Sequence, residues 1–378
     1  MNTEQLVARV LAPDWLSDQA GRSVRASRLR IKPRTSLVVG LDDAAGQPVG
    51  WLRFLWPISH NKAARTSREA GELGVETSEH ELGELLVQTG PLPADPKLLT
   101  RIAAATTAGE IGRWEASQVL RYNPLRRVVV RDGMRVVRVA TSRDRGVAFD
   151  RFMAGGVETP RRLDDGALDG VSVHAFTGDL DLADLLDGNP PGVDRDPVHG
   201  ASDPVRAAGA MLARLHAAEV PGDLARSLAA RTADPVAQGL AHAALLDELA
   251  PDLAERMRRV AAELPGVASA MPVLSHGDLS PDQVLTTHDG DAVWLTDFDR
   301  ACLAPRAVDL GSFLAVLDDA AFLDGYRDGG GQVPPEDQLR RAVAASLILR
   351  AADPLRRACR DWKQQVSANL DRIREVAT

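Results

Sequence analysis

Lysine is nearly absent from this 378-residue chain: only Lys32, Lys62, Lys97 and Lys363 occur among 45 basic residues, and the other 41 are arginine. None lies between Leu98 and Trp362. Arginine stays protonated at ordinary pH, so the middle of the chain offers no amine base and no Schiff-base nucleophile. Cysteine is scarce too. Cys302 and Cys359 cannot build a disulfide framework, no cluster has zinc-ligand spacing, and both read as reduced core thiols. No apolar run reaches the ~18 residues of a membrane span. The opening MNTEQLVARVLAPDWL is broken by Glu4 and Arg9 and lacks the apolar block of a signal peptide. Acidic residues number 53, giving a net charge of −8, which argues against nucleic acid and anionic membrane as partners. A soluble, cytoplasmic protein is expected.

What remains is ordinary globular material, 44% hydrophobic and 26% charged, enough for two or three structural units. Residues 27–39, SRLRIKPRTSLVV, and 118–130, QVLRYNPLRRVVV, align without gaps at an offset of 91 and share Leu, Arg, Pro and two Val. Each reads as a strand, a Pro-containing turn and a second strand, followed by further apolar stretches at Trp51–Trp56 and Met134–Val139. Two β-rich units in tandem are predicted, separated by a helix and loop from Ala63 to Ala105 and a boundary near Ala105–Gly112. VSVHAF at 171–176 reads as a strand and DLADLL at 181–186 as a helix. From about Asp203 the pattern is helical. Leu253, Met257, Val260 and Leu264 share a face behind an Asp252/Glu255 capping-box spacing, and further helices are predicted from Glu336 to Ala352 and Pro354 to Val376.

One segment interrupts the helices: LSHGDLSPDQVLTTHDGDAVWLTDFDRACLAPRAVDLGSF, residues 274–313. The Asp289-Gly290 turn between QVLTT and AVWLT predicts a hairpin whose paired residues sum to 579, which sets Gln283 opposite Thr296 and one step from Asp297. An amide oxygen and a carboxylate at one end of a hairpin suit a phosphate-bound Mg²⁺. Asp278, five residues before Gln283, sits in a loop that opens with a His276-Gly277 turn and faces whatever such a metal presents. These oxygen ligands, without a nucleophilic serine motif, point to phosphoryl transfer; the competing reading is a merely solvated acidic loop.

HGDLSPDQ, Asp297 in DFD and Asp309 in VDLGSF together resemble the catalytic core of the aminoglycoside phosphotransferase and choline kinase family. The resemblance covers about residues 113–350, with Pro160, Phe176-Thr177-Gly178 and LARLHAA at 212–218 as further landmarks in order. It implies an α+β, bilobal protein kinase-like fold with a β-rich N-lobe and a mainly helical C-lobe. An extra β-rich cap at 1–105 would precede a nucleotide lobe at 106–178 and a helical lobe at 179–378. It also implies ATP (or GTP) and Mg²⁺ as cofactors. Asp278 would take or orient the proton of the acceptor hydroxyl, Gln283 and Asp297 would hold the metal, and His276 and Asp309 would brace the loop. Asp299 is either a second metal contact or an exposed carboxylate. Two positions depart from the family. Gln283 stands where the family has asparagine, and Arg138 stands where a third-strand lysine grips the phosphates. Arg126 or Arg127 would meet phosphate from the turn Asn123–Arg127, which lacks a glycine-rich signature, and Asp144 or Asp150 would be the acidic partner of Arg138.

The Asp-Phe-Gly and Ala-Pro-Glu signatures of protein kinases are missing, so the implied acceptor is a small hydroxylated molecule. Asp318, Asp319, Asp324 and Asp328 would either line a site for a cationic acceptor or form a solvated helix face. The N-terminal cap resembles that of maltokinase and glucosamine-kinase relatives, which tilts the acceptor toward a sugar or amino sugar. The alternative to an active enzyme is a non-catalytic, pseudokinase-like binding protein.

Overall fold

The computed structural model of the chain describes residues 1–112, 114, 117–142, 145–187, 203–228, 234–264, 266 and 271–377. Two short helices open it, α1 (Thr3–Val10) and α2 (Pro13–Ala20), ahead of the expected strands. Asn2 caps α1 by accepting from the Gln5 N–H, and Gln5 returns the bond, satisfying amides that every helix start leaves free. Strands β1 (Arg25–Lys32), β2 (Ser36–Asp42) and β3 (Pro48–Leu55) follow, then α3 (Asn61–Glu72), β4 (Ser78–Leu82), β5 (Leu85–Pro91) and α4 (Leu99–Thr107). All five strands form one antiparallel sheet, ordered β1-β2-β3-β5-β4. The helix and loop predicted from Ala63 to Ala105 are thus corrected: residues 78–91 are a hairpin completing this sheet. The outer strand, SEHEL, is almost fully exposed and carries no alternating apolar face to announce it.

The second sheet contains β6 (Gln118–Asn123), β7 (Arg127–Asp132), β8 (Arg135–Ala140) and, after helix α5 (Val147–Ala154), β9 (Val171–Ala175), in that order. The offset of 91 survives as geometry. Lys32 pairs with Ser36 as Asn123 pairs with Arg127, and the positive-φ residue of each turn, Arg34 (51°) and Leu125 (61°), falls at the same place.

A short strand β10 (Leu180–Asp181) leads into α6 (Leu182–Leu186), with Asp181 accepting from the Asp184 N–H as its cap. Helices α7 (Pro204–Ala217), α8 (Gly222–Leu228), α9 (Pro235–Leu246) and α10 (Pro251–Glu263) come next. The capping box suggested by Asp252 and Glu255 does not form, because α10 starts at Pro251 on Ala250 with no side-chain cap. The functional segment then supplies β11 (Val273–Ser275), β12 (Val284–Thr286), β13 (Val293–Leu295) and β14 (Cys302–Ala304). Helices α11 (Ala307–Leu314), α12 (Ala320–Asp328), α13 (Glu336–Arg350), α14 (Asp353–Arg356) and α15 (Trp362–Ala377) close the fold. The single helix predicted after Pro354 is two, since Ala358 takes φ of 57° and breaks it.

Three cores hold these parts. One packs Leu6, Val7 and Val10 of α1, with the inner face of the first sheet, against Leu246, Met257, Ile348, Val366 and Leu370 of the late helices. Each fully buried leucine there contributes about 2 kcal/mol. A second core lies between the two sheets, where Trp51 and Ile102 of α4 meet Tyr122, Val128 and Val137. The third lies under the hairpin β12–β13, with Leu212, Leu279, Val284, Leu295 and Phe313. No helix among the described residues is long and apolar enough to cross a membrane.

Candidate active site

The hairpin register is the predicted one: Val284 pairs with Leu295, and the Thr296 N–H donates to the Gln283 carbonyl at 3.0 Å. Gly290 takes the positive φ (75°) that its turn requires. Ahead of the hairpin, the loop from His276 is tied down by Asp309 on α11. Asp309 accepts from the His276 and Gly277 amides, both at 2.7 Å, and its Oδ2 also lies 3.1 Å from His216 Nε2. Burial works against the Asp309 charge, yet the His216 and His276 rings and the Gly277 amide hold its pKa below the usual value. Gly277 has φ of 92°, and a Cβ there would stand 2.2 Å from the Arg300 carbonyl, so no other residue fits.

His276 is fully buried. Its Nε2 lies 2.8 Å from the Thr296 carbonyl and its Nδ1 3.2 Å from Asp278 Oδ1, close enough for charge attraction but not aligned as a hydrogen bond. Burial opposes protonation, but Asp278, Asp309 and the Thr296 carbonyl outweigh it and raise the pKa to about 9. A doubly protonated ring follows at neutral pH, bracing the loop rather than exchanging protons. Asp278 itself is partly exposed. Its Oδ2 lies 3.3 Å from Arg300 Nε, its backbone carbonyl accepts from Arg350 at 2.9 Å, and its Oδ1 has no hydrogen-bond partner among the described residues.

Asp297 follows β13 with a left-handed backbone (φ 64°), a conformation that costs a non-glycine residue about 1 to 3 kcal/mol and clusters at functional sites. One nitrogen of Arg127, the first residue of β7, reaches both of its oxygens at 2.7 and 2.8 Å. Burial raises the Asp297 pKa, but Arg127, Arg138 and His276 more than offset this and hold it low. Arg138 lies on β8, opposite Val129 and Ser172, and donates to Asp299. Asp299 is shifted upward by burial and by the charge of Asp297, against the pull of Arg138. Asp299 therefore acts as the acidic partner of Arg138. Asp150, one of the two candidates for that role, instead bonds Arg162 at 2.7 Å and neighbours His174, and Asp144 lies outside the described residues.

The Gln283 side chain is engaged within its own loop. Its amide oxygen accepts from the Ser280 N–H at 3.1 Å in a capping box on the 3₁₀ turn Pro281–Gln283, which explains the longer side chain in a structural role. Asp297 and Asp299 are the two carboxylates at the charged end of the cleft that could meet a cation, with Arg127 on Asp297. Among the described residues no group of three His, Cys, Asp or Glu side chains is arranged to hold a metal on its own. Arg126 is exposed on the turn, with Arg356, Arg300 and Arg127 near enough to depress its pKa after burial. Asp318, Asp319, Asp324 and Asp328 do not reach the site. Asp319 caps α12, while Asp324 and Asp328 pair with Arg206 on α7.

Several working residues escaped sequence reasoning. Asp95, buried between two prolines, accepts from the Tyr122 hydroxyl at 2.7 Å and the Leu125 N–H at 2.8 Å, fixing the strained turn over the site. Arg145 donates to the carbonyls of Phe298, Asp299 and Ala301 and so clamps the acidic turn. Arg121 joins Asp282 of the loop at 2.6 Å. Burial opposes the Asp282 charge, but Arg121 and Ser280 take its pKa down to about 2. Only Asp282, inside HGDLSPDQ, carried a local signal.

Between the second sheet and the hairpin lies a cleft of about 290 Å³. Val129, Val136, Phe176 and Leu285 line its apolar part, and Arg127, Arg138, Asp297 and Asp299 its charged end. Greasy walls leading to cations and carboxylates make a small-molecule site.

The phosphotransferase enzyme family matches residues 109–344, more than half of the chain, and the chain belongs to it. It is an enzyme of the class that transfers phosphate to hydroxyl groups of small molecules. The protein kinase-like fold is shared with a choline/ethanolamine kinase family protein from Mesorhizobium loti, at 16% identity and TM-score 0.50 over 74% of this chain and 93% of that one. Similarity extends to the GDP and kanamycin complex of APH(2")-IIIa, at 16% identity and TM-score 0.49, covering 74% and 98% of the two chains. The macrolide 2'-phosphotransferase MphH from Brachybacterium faecium matches at 19% identity and TM-score 0.43, covering 84% and 98%. No curated protein matches.

Proposed function

We propose that the chain transfers the terminal phosphate of ATP or GTP to a hydroxyl of an aminoglycoside, sugar or amino sugar, with residues 1–105 as a cap, 106–178 as the nucleotide lobe and 179–378 as the acceptor lobe. The observation that carries this is Asp278. A loop held by Asp309 and a charged His276 carries this partly exposed carboxylate, whose Oδ1 faces the His276 ring and whose Oδ2, 3.3 Å from Arg300 Nε, is the oxygen we assign to the acceptor. That oxygen accepts the hydroxyl proton as the acceptor oxygen bonds to phosphorus and the bond to the leaving diphosphate breaks. Arg138 and Arg126 attract the phosphates, and the apolar walls of the cleft hold the base. Mg²⁺ would be held by Asp297 and Asp299 and would neutralise phosphate charge. Arg127 must first leave Asp297 for this to happen.

Thermal melting with ATP and GTP, with and without Mg²⁺, tests the reading. A nucleotide at a hundred times its Kd stabilises by about 2.7 kcal/mol. That gain should require Mg²⁺ and vanish in Asp297→Ala; its absence in the wild type sinks the proposal. The Arg127–Asp297 pair and the inward-turned Gln283 favour a second reading, a non-catalytic binding protein. That reading expects ligand stabilisation without turnover of any hydroxyl acceptor, and indifference to Asp278→Asn.

A further inference from the structure

We propose that a second cavity, of about 550 Å³ between the first sheet and the catalytic loop, binds the anionic group of a small polar molecule on Arg28 and Arg357. Arg28 comes from β1, Arg357 from the turn after α14, and Ser280 and Asp282 bring the catalytic loop into the same wall. The cleft's cations, Arg127 and Arg138, do not line it; the Arg121–Asp282 pair stands in the wall that the two spaces share.

Arg28 carries the case. It is half-buried, and it makes no hydrogen bond or ion pair with any described residue. Burial lowers its pKa, and the neighbouring charges of Arg357 and Arg121 lower it further. A guanidinium cannot relieve such a position by releasing its proton near neutral pH. Of the carboxylates whose charge reaches it, Asp353 and Asp282 are already engaged, with Arg356 at 3.3 Å and with Arg121 at 2.6 Å, and Asp42 on the adjacent strand forms no ion pair with it. Arg357, at the mouth, is likewise without a carboxylate partner among the described residues. Two adjacent uncompensated guanidiniums on a cavity wall define a place for an anion, which each can meet with charge-assisted hydrogen bonds.

The acids of the same cavity add a second requirement. Asp42 Oδ1 is buried without a partner, and burial raises the pKa of that carboxyl. Asp184 and Asp187 on and beside α6 line the same cavity. A ligand with an anionic group and hydroxyl or ammonium donors satisfies the arginines and the acids at once; a purely anionic one leaves the acids unmet. Arg350 connects the cavity to the chemistry, because it lines the wall and donates to the Asp278 carbonyl and to Ser312 Oγ.

Calorimetric titration of the full chain with inorganic phosphate and with glucose 6-phosphate tests the site without turnover, so it fails or succeeds separately from the phosphotransfer reading. Both should bind the wild type, the sugar phosphate more tightly, and Arg28→Gln and Arg357→Gln should each weaken both by about tenfold. In phosphate-free buffer Arg28→Gln should melt at or above the wild-type temperature, since it removes an uncompensated charge. Wild-type affinity in Arg28→Gln, loss confined to Arg127→Gln, or a clearly lower melting point of Arg28→Gln without phosphate would each overturn the proposal. Steady-state kinetics separate the two sources of the anion. For a phosphorylated acceptor, Arg28→Gln raises KM at unchanged kcat. For a free regulatory anion, phosphate changes turnover of a neutral acceptor without competing with it.

Discussion

The two sheets place an arginine at the same point and use it in opposite ways. Arg53 on β3 lies opposite Val38, and Arg138 on β8 lies opposite Val129; the two valines are 91 positions apart, the offset that aligns these strands, so the arginines, though 85 apart, take matching places on the next strand. Arg53 is buried and closed off: it donates to Gln88 at 2.8 Å, to the Lys62 carbonyl at 2.8 Å and to Thr66 at 2.9 Å. Burial takes its pKa down to about 10, which still leaves it charged. Arg138 reaches the cleft and meets Asp299. The neighbouring strand makes the difference. Gln88 stands beside Arg53 on β5, whereas Ser172 stands beside Arg138 on β9, too short to satisfy a guanidinium. One β scaffold therefore yields a structural cation or a working one according to a single adjacent side chain.

The sharpest separation should come from Asp278→Asn. Removing this carboxylate should lower turnover by roughly 10²- to 10⁴-fold, far more than the modest fall in melting temperature expected because Asp278 holds the His276 charge. Arg53→Met should do the reverse, costing about 3 kcal/mol of stability in denaturant titrations because Gln88 and Thr66 lose a charged partner, with little change in nucleotide affinity per folded molecule. Ser172→Gln should copy the closed arrangement onto Arg138 and weaken nucleotide binding by about tenfold; undiminished binding would break the comparison. The smallest effect is in pH. The His276 pKa rises from 6.5 unfolded to about 9 folded, so its stabilisation is complete below about pH 6.5 and is lost as pH rises through 9. Melting curves from pH 6 to 10 should show this decline, and His276→Asn should flatten it.

The catalytic loop and hairpin were legible because their information is local. An Asp-Gly turn sets the register, and a contiguous HGDLSPDQ sets the spacing of Asp278 from the hairpin. The duplicated β units were legible from thirteen aligned residues. Strand β4 was not, since an edge strand exposed on both faces needs no apolar alternation. Gln283 admits metal ligation by its residue type, and the local contact with the Ser280 amide is one that its spacing did not announce. The Arg127–Asp297 and Arg121–Asp282 pairs join residues more than 150 positions apart, a proximity that only the fold creates.

The first core has a temporal consequence. Helix α1 shares this core with α15, and Glu4 meets Lys363 at 2.7 Å across 359 positions of sequence. A chain emerging from the ribosome therefore makes α1 long before the late helices of the same core exist. The part of this core that Leu6, Val7 and Val10 share with Val366 and Leu370 can close only after the intervening residues are made, which sets the docking of these helices late in folding.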